Sequence, residues 1–219
     1  MRKIKAVLKV GGSIINNKKR LLNLCGQICK IDENIVVVPG GGRLADVVRS
    51  LNKEFRISDS AAHWMAIKAM DINGILISDL NKRMKPVKSR KECFQTLEQS
   101  KIPVFLTYEI LKKRDPLPKS WNVTSDSISL YLAETLNSDM HILLKDVDGI
   151  YRNIEGKKTL LKEMDVKRLK SMKNTCVDSY FPKLISAYKR ESYVISGFHP
   201  ERVKKVLNNE KVIGTKIVV

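Results

Sequence analysis

The 219-residue sequence is poor in aromatic side chains, with Phe, Trp and Tyr together at 6%, and it carries no RNP-type aromatic motif. A single-stranded nucleic-acid platform built on stacked rings therefore has no support. No apolar run exceeds about five residues, far short of the roughly 20 that a membrane-spanning helix needs. The basic start of the chain is not followed by the apolar core of a signal peptide, which points to a cytoplasmic protein. The four cysteines, Cys25, Cys29, Cys93 and Cys176, form no C-x-x-C pair, so a zinc ribbon or a thioredoxin-type site is excluded. Cys25 and Cys29, four residues apart, share a helix face and read as buried, reduced thiols. Neither a P-loop nor a Rossmann glycine fingerprint is present. Repeats and low-complexity segments are missing as well.

What is present is a chain with 43% hydrophobic residues, 29% charged residues and a formal net charge of +18. The length fits one large domain or two small ones, and the apolar content suffices for a real core. Lys and Arg occur from end to end, in short clusters such as Lys18–Arg20, Lys82–Arg83 and Lys112–Arg114. There is no basic tail or arginine-rich arm, so the charge reads as a surface bias that attracts anionic small molecules rather than as a nucleic-acid footprint.

Short apolar runs alternate with amphipathic stretches. Residues 4–10, 35–38, 75–78, 104–107, 140–146, 193–196 and 215–219 read as strands. Helical spacing covers 14–31, 44–51, 58–72, 124–136 and 200–207, with Ser58 or Asp59 and Thr124 or Ser125 as N-caps. The segment 149–158 reads as a hairpin with its turn near 153–156, and 114–122, with Pro116 and Pro118, reads as an exposed loop. This order predicts an α/β fold with a mostly parallel sheet covered on both faces. In such sheets ligands bind at the carboxyl ends of the strands.

Two glycine turns stand at such ends. The first strand closes on Lys9-Val10-Gly11-Gly12-Ser13, and the second on Pro39-Gly40-Gly41-Gly42, each before a helix. Glycine lets the backbone approach a ligand closely, and N–H groups at a helix start suit phosphate. Two such turns can face each other across one cleft and hold a donor and an acceptor phosphate, with the Lys9 ammonium nearby. Thr124-Ser125-Asp126-Ser127 opens a helix, either as a plain N-cap or with Asp126 orienting lysines or a metal. Asp146-Val147-Asp148-Gly149-Ile150-Tyr151 lacks the ligands of a complete EF-hand and suits a ribose or a metal-bound phosphate. Gly214-Thr215 turns the chain into its last strand.

Together these motifs, in this order, resemble the amino-acid kinase superfamily. The resemblance spans nearly the whole chain. It implies a three-layer αβα sandwich on a mostly parallel sheet of about eight strands, in a single domain over residues 1–219. The acceptor-binding part would cover about 1–120 and the nucleotide-binding part about 121–219. It also implies phosphoryl transfer from ATP with Mg²⁺ to a small-molecule phosphate substrate, with no nucleic-acid or membrane partner, in a homo-oligomer. Two further segments, Ala62-His63-Trp64-Met65-Ala66-Ile67-Lys68-Ala69-Met70-Asp71 and Trp121-Asn122-Val123-Thr124-Ser125-Asp126-Ser127, are similar to the methanofuran-biosynthesis branch. That branch converts an aminomethylfuran monophosphate to the diphosphate. The isopentenyl phosphate and uridylate kinase branches stand as alternatives, as does a non-catalytic binding protein of the same fold.

By position, the resemblance implies that Lys9 bridges donor and transferring phosphate while Gly11, Gly12 and Ser13 bind the ATP phosphates. Gly40, Gly41 and Gly42 would cradle the acceptor phosphate. Asp126 would hold Lys9 and a second lysine in a catalytic trio. The family's second lysine follows a Gly-Gly-Met stretch, where this sequence reads Asp178-Ser179-Tyr180-Phe181-Pro182-Lys183. Lys183 is the counterpart by alignment, and Lys145 competes with it. Lys145, Asp146, Asp148, Gly149 and Tyr151 would line the nucleotide pocket. His63 reads either as a packed helix residue or as a ligand of the acceptor phosphate, and Asp59 or Asp71 as the partner of the acceptor's ammonium.

Overall fold

The computed structural model describes residues 3–114, 116–154, 157–172 and 175–219. The first strand, β1 (Ala6–Val10), is buried along its whole length. The turn α1 (Gly12–Ile15) and helix α2 (Lys18–Ile28) follow it. Next come β2 (Ile35–Pro39), α3 (Gly42–Phe55) and the long α4 (Asp59–Asp79). Then β3 (Met84–Val87), α5 (Arg90–Glu98), β4 (Ile102–Phe105) and α6 (Tyr108–Arg114) alternate. After α7 (Ser125–Thr135) and β5 (Met140–Lys145), the chain forms β6 (Tyr151–Ile154), β7 (Lys157–Leu160) and β8 (Glu163–Asp165). It ends with α8 (Val166–Ser171), α9 (Phe181–Tyr188), β9 (Ser192–Ser196), α10 (Glu201–Leu207) and β10 (Gly214–Val218).

Eight strands form one sheet in the order β3-β4-β2-β1-β5-β9-β10-β8, and β6 pairs with β7 in a separate antiparallel hairpin. Neighbours from β3 to β9 run parallel, whereas β10 is antiparallel to β9 and parallel to β8. This is the mostly parallel, eight-stranded α/β architecture that the sequence predicts. The turn of the β6–β7 hairpin falls partly outside the described residues.

Strand alternation divides the core into two layers. Ala6, Leu8 and Val10 pack with Leu21, Leu24 and Ile28 of α2 and with Val203, Val206 and Leu207 of α10. Val7, Val36 and Val38 join Ile67 and Met70 of α4 and Ile128 and Leu132 of α7 in the opposite layer. Each such aliphatic side chain contributes about 1.5–3 kcal/mol on burial. The two layers therefore hold the frame, and the strand ends are left to glycine and polar residues. Among the described residues no helix is long and apolar enough to cross a membrane.

Several local expectations are corrected. Residues 75–78 are not a strand but the end of α4. Ser78 Oγ donates to the Gly74 carbonyl at 2.7 Å, and Ile77 is buried while Ile75 is 56% exposed, as on a helix. A short apolar run does not distinguish a strand from a buried helix. The helix expected over 14–31 breaks, because Asn17 Oδ1 accepts from the Arg20 N–H at 3.1 Å and starts a new helix. The loop expected to be exposed at 114–122 buries Leu117 and docks Trp121, whose Nε1 donates to Asn52 Oδ1 at 3.1 Å. Strands β3 and β8 and helices α5, α6, α8 and α9 are elements that periodicity does not announce.

Candidate active site

The two glycine turns meet. A Cβ on Gly12 would lie 2.7 Å from both N and Cα of Gly42, and one on Gly40 would lie 3.0 Å from the Gly12 nitrogen. Only glycine allows this contact, and Gly42 also has φ +52°, in the left-handed region. The turns are tied down from outside. Asn73 Nδ2, on α4, donates to the carbonyls of both Gly40 and Gly41 at 2.8 Å. Asn16 Oδ1 accepts from the Arg43 N–H at 3.0 Å. Ser13 is exposed at the mouth of the first turn.

Beside the turns lies a buried trio of charges. Lys9 lies on the same face of β1 as Val7, toward α7. On the neighbouring strand Leu144 stands opposite Val10, so Lys145 falls one step beyond, on the same face as Leu143. Asp126, in the first turn of α7, faces both lysines. Its Oδ1 is 2.9 Å from Lys9 Nζ, and Lys145 Nζ donates to Oδ1 and Oδ2 at 2.8 and 2.6 Å. The three side chains are only 5%, 11% and 4% exposed for Lys9, Lys145 and Asp126 respectively.

One carboxylate thus serves two ammonium groups, and unequally. Burial penalises the Asp126 charge, but Lys145 and Lys9 outweigh it and hold its carboxyl well below the usual range. Burial likewise disfavours the Lys145 charge, but the Asp126 charge beside it, together with the hydrogen bonds to that carboxylate, wins, and its pKa rises. Lys9 has one short contact and is buried more completely, so burial prevails and its pKa falls. A polar chain supports α7 from below: Ser129 Oγ donates to the Asp126 carbonyl at 2.8 Å and contacts His141 Nε2 at 2.9 Å. His141 Nδ1 in turn contacts Ser192 Oγ at 2.9 Å, and burial pushes the ring's pKa down to about 3, so it is neutral.

Two clefts flank the trio. The larger, about 810 Å³, is lined by Asp146, Asp148, Gly149, Tyr151, Phe198 and His199 among others. It thus gathers four of the residues expected around a nucleotide. Arg202 pairs with Asp148, and burial has little hold on this carboxylate, so the guanidinium lowers its pKa. Tyr151 OH donates to Asp148 at 3.3 Å. The narrower cleft, about 70 Å³, is lined by Gly41, Arg49, His63, Met70, Trp121 and Ser125 among others. His63 stacks edge-on against Trp64 at 5.3 Å, and the Arg49 guanidinium lies 4.7 Å from the Trp121 ring centroid.

Three expected residues lie elsewhere. Lys183 is exposed on α9, with its ammonium 5.2 Å from the Tyr180 ring, so Lys145 and not Lys183 completes the contact with Asp126. In this segment the Asp178 carboxylate accepts from the Phe181 N–H at 2.9 Å, and α9 starts there and carries Lys183 on its exposed face. Asp71 does not face the narrower cleft. Its carboxylate accepts from the backbone N–H groups of Thr107 at 2.6 Å and Tyr108 at 3.3 Å, at the start of α6. Asp59 is an exposed residue in the first turn of α4 and does not line that cleft either. Sequence reasoning missed Asn73, His141, Arg49 and Asp178. Only Asp178 left a signal, as the acidic residue standing where the family has glycine.

The family model described as the amino acid kinase family matches residues 5–195. The chain is 38% identical over 215 residues to the [5-(aminomethyl)furan-3-yl]methyl phosphate kinase of Methanocaldococcus jannaschii, covering 97% of each chain. It is 27% identical to the uridylate kinase of Archaeoglobus fulgidus, over 98% of this chain and 100% of that one. Among solved structures, the UMP kinase of Bacillus anthracis superposes with a TM-score of 0.78 at 17% identity, covering 100% of this chain and 97% of that one, which is a likeness of fold.

Proposed function

Since the chain belongs to the amino acid kinase family, and is thus a phosphotransferase, we propose that it transfers the γ-phosphoryl group of ATP to a small-molecule monophosphate. The acceptor is [5-(aminomethyl)furan-3-yl]methyl phosphate and the product its diphosphate. The observation that carries this reading is the placement of the charged trio. Asp146, beside Lys145, opens into the larger cleft, and Ser125, beside Asp126, opens into the narrower one. Phosphates entering from the two sides meet at Lys9 and Lys145.

The nucleotide occupies the 810 Å³ cleft, within the usual range for ligand pockets of about 300–1,000 Å³. Its phosphates reach back to Gly11, Gly12 and Ser13. The acceptor enters the narrower cleft and sets its phosphate against Gly40, Gly41 and Gly42, beside His63. At about 70 Å³ this cleft is much the smaller of the two, and Ser120 and Trp121 form part of its wall. Among the described residues no Asp or Glu lines it, and the His63 and Trp121 rings form part of its wall.

Mutual repulsion of the two phosphates is the main obstacle, and positioned positive charge is the remedy. Lys9 and Lys145 neutralise the transferring group from one side, and the turn amides hold it in line. An ionised phosphate acceptor needs no general base. Among the described residues no three His, Cys, Asp or Glu side chains gather to hold a metal. Mg²⁺, which the family implies, would come with the nucleotide and supply further charge neutralisation.

The free thiols Cys25, Cys29, Cys93 and Cys176 support a reducing, cytoplasmic setting. Val47 and Phe55 of α3 and Ile72 and Ile75 of α4 are each more than half exposed, which supports pairing with copies of the same chain.

ADP release tests the function. Turnover is expected with the furan phosphate and not with UMP or isopentenyl phosphate. Lys9→Ala and Lys145→Ala should each lower kcat by about 10²-fold or more, the scale of losing one transition-state donor, while Lys183→Ala stays near wild type. Turnover of UMP alone would move the chain to the uridylate branch. No ADP release with any acceptor, despite tight ATP binding, would make it a binding protein.

A further inference from the structure

Asp178 has no place in the scheme above, yet its carboxylate accepts five hydrogen bonds. Oδ2 takes the Thr124 N–H at 2.9 Å, the Thr124 hydroxyl at 2.9 Å and the Ser127 N–H at 3.0 Å. Oδ1 takes the Ser127 hydroxyl at 2.6 Å and the Phe181 N–H at 2.9 Å. One carboxylate thereby satisfies the orphan donors at the starts of both α7 and α9. Its own backbone N–H points the other way and donates to Asp126 Oδ2 at 3.2 Å.

The link reaches further. Tyr180 N–H donates to the Asn122 carbonyl, and Ser179 Oγ to Asn122 Oδ1, both at 3.1 Å. Asn122 follows Trp121, which forms a wall of the narrower cleft. The segment around Asp178 thus joins that wall to the carboxylate shared by the two lysines.

We propose that Asp178 is a positioning residue for phosphoryl transfer: it fixes the first turn of α7 and aims a backbone N–H at Asp126, so that the Asp126 carboxylate faces Lys9 and Lys145 together. The proposal rests on the reading of the trio as the transfer centre. Without Asp178, the Thr124 and Ser127 donors lose their acceptor and the first turn of α7 is released. A carboxylate on a loosened turn can satisfy one lysine well but not two at once. The effect belongs to the transition state more than to nucleotide binding, because the misplacement falls where charge develops.

A double-mutant cycle on the full-length enzyme tests this, using the monophosphate that turns over in the ADP-release assay. Asp178→Asn should lower kcat by about 10–100-fold, with the affinity and stoichiometry for a non-hydrolysable ATP analogue within about twofold of wild type. In a Lys145→Ala background the same change should cost less than about threefold, because the carboxylate no longer has two lysines to serve. A loss of equal size in both backgrounds overturns the proposal, since it marks a general structural role. An unchanged kcat in Asp178→Asn overturns it too. If Lys145→Ala itself leaves kcat intact, the transfer-centre reading falls, and the proposal with it. Should Asp178→Asn fail to fold, Ser127→Ala removes only the 2.6 Å hydroxyl bond and runs through the same cycle, with the same two outcomes on a smaller scale.

Discussion

Asp126→Asn removes one charge while keeping the side-chain shape, and so tests whether a single carboxylate serves both lysines. In the native protein Asp126 lies 2.9 Å from Lys9 Nζ and 2.6 Å from Lys145 Nζ, with all three side chains nearly inaccessible. At an effective dielectric near 20, each contact at about 3 Å amounts to roughly 5 kcal/mol of attraction before desolvation. Most of this offsets the cost of burying the ions, and removing one partner of a buried pair typically costs about 3–5 kcal/mol. Here one substitution strands two ammonium groups that also repel each other, which puts the expected loss at the upper end of that range at pH 7. For a chain of this length that lowers Tm by roughly 10–20 °C. The deficit should shrink in alkali. Burial already depresses the Lys9 pKa below the unfolded value near 10.4, and without Asp126 it falls further, while Lys145 loses the partner that raises its own. The folded variant then binds fewer protons than the unfolded chain, so its stability rises with pH relative to wild type. Urea midpoints at pH 7, 8.5 and 9.5 for both proteins, with equal m-values, measure the trend. A deficit below about 1 kcal/mol at pH 7, or one that widens toward pH 9.5, would refute the shared-carboxylate argument.

Two further outcomes follow from the geometry. In Gly12→Ala the new Cβ would lie 2.7 Å from the Gly42 backbone, so the turns must part; ADP release should fall by about 10²-fold, the cost of misplacing phosphates by about an ångström, while the far-UV spectrum is kept. Activity within twofold of wild type would show that the turns are not a clamp. His141 stays neutral in the fold down to about pH 3, whereas the unfolded chain protonates it near 6.5, so stability falls as pH drops through that window. Asp126, with its lowered pKa, adds an acid loss only below about pH 3.9, whereas Asp71, which burial pushes up to about 6, titrates between about pH 6.5 and 4.5 with the opposite sign, so the His141 contribution is read as the difference between wild type and variant. His141→Gln should lower the stability slope there by up to about 1.4 kcal/mol per pH unit relative to wild type, and an unchanged slope would mean that the imidazole is not buried neutral.

The parts of the site that the sequence discloses are those built from neighbours in the chain. Lys9-Val10-Gly11-Gly12 carries its own strand end, turn and charge, and Thr124-Ser125-Asp126 carries its own cap, with Thr124 accepting from the Asp126 N–H as the spacing predicts. The choice between Lys145 and Lys183 depended on something no local pattern contains. Both follow plausible motifs, but only strand register, with Leu144 opposite Val10, puts Lys145 on the face of α7. Asp71 failed for the same reason. Its partners, Thr107 and Tyr108, lie 36 and 37 residues away, so a buried acid beside an acceptor helix looked available when it was already engaged. Residues 75–78 failed differently, since three apolar residues and a serine after a glycine satisfy both periodicities, and the helix wins because α4 packs on α3 and on the sheet at once.

The charge of the site is best judged locally rather than from the total of +18. Two buried ammonium groups against one carboxylate leave a surplus of positive charge at the point where the clefts meet. Asp178 offsets the surplus only in part: its charge also raises the Lys145 pKa, but its five hydrogen bonds go to α7 and α9 and it forms no ion pair with a lysine among the described residues. The falling pKa of Lys9 is the signature of that deficit: burial has taken more from its ammonium than half a carboxylate returns. On the proposed reading a bound phosphate would supply the missing anion. The ligand that the lysines stabilise would then stabilise the lysines, and the cost of keeping Lys9 charged would be relieved on binding. Such a site would attract polyphosphate through its own deficit, beside any contribution from the lysines and arginines scattered over the surface.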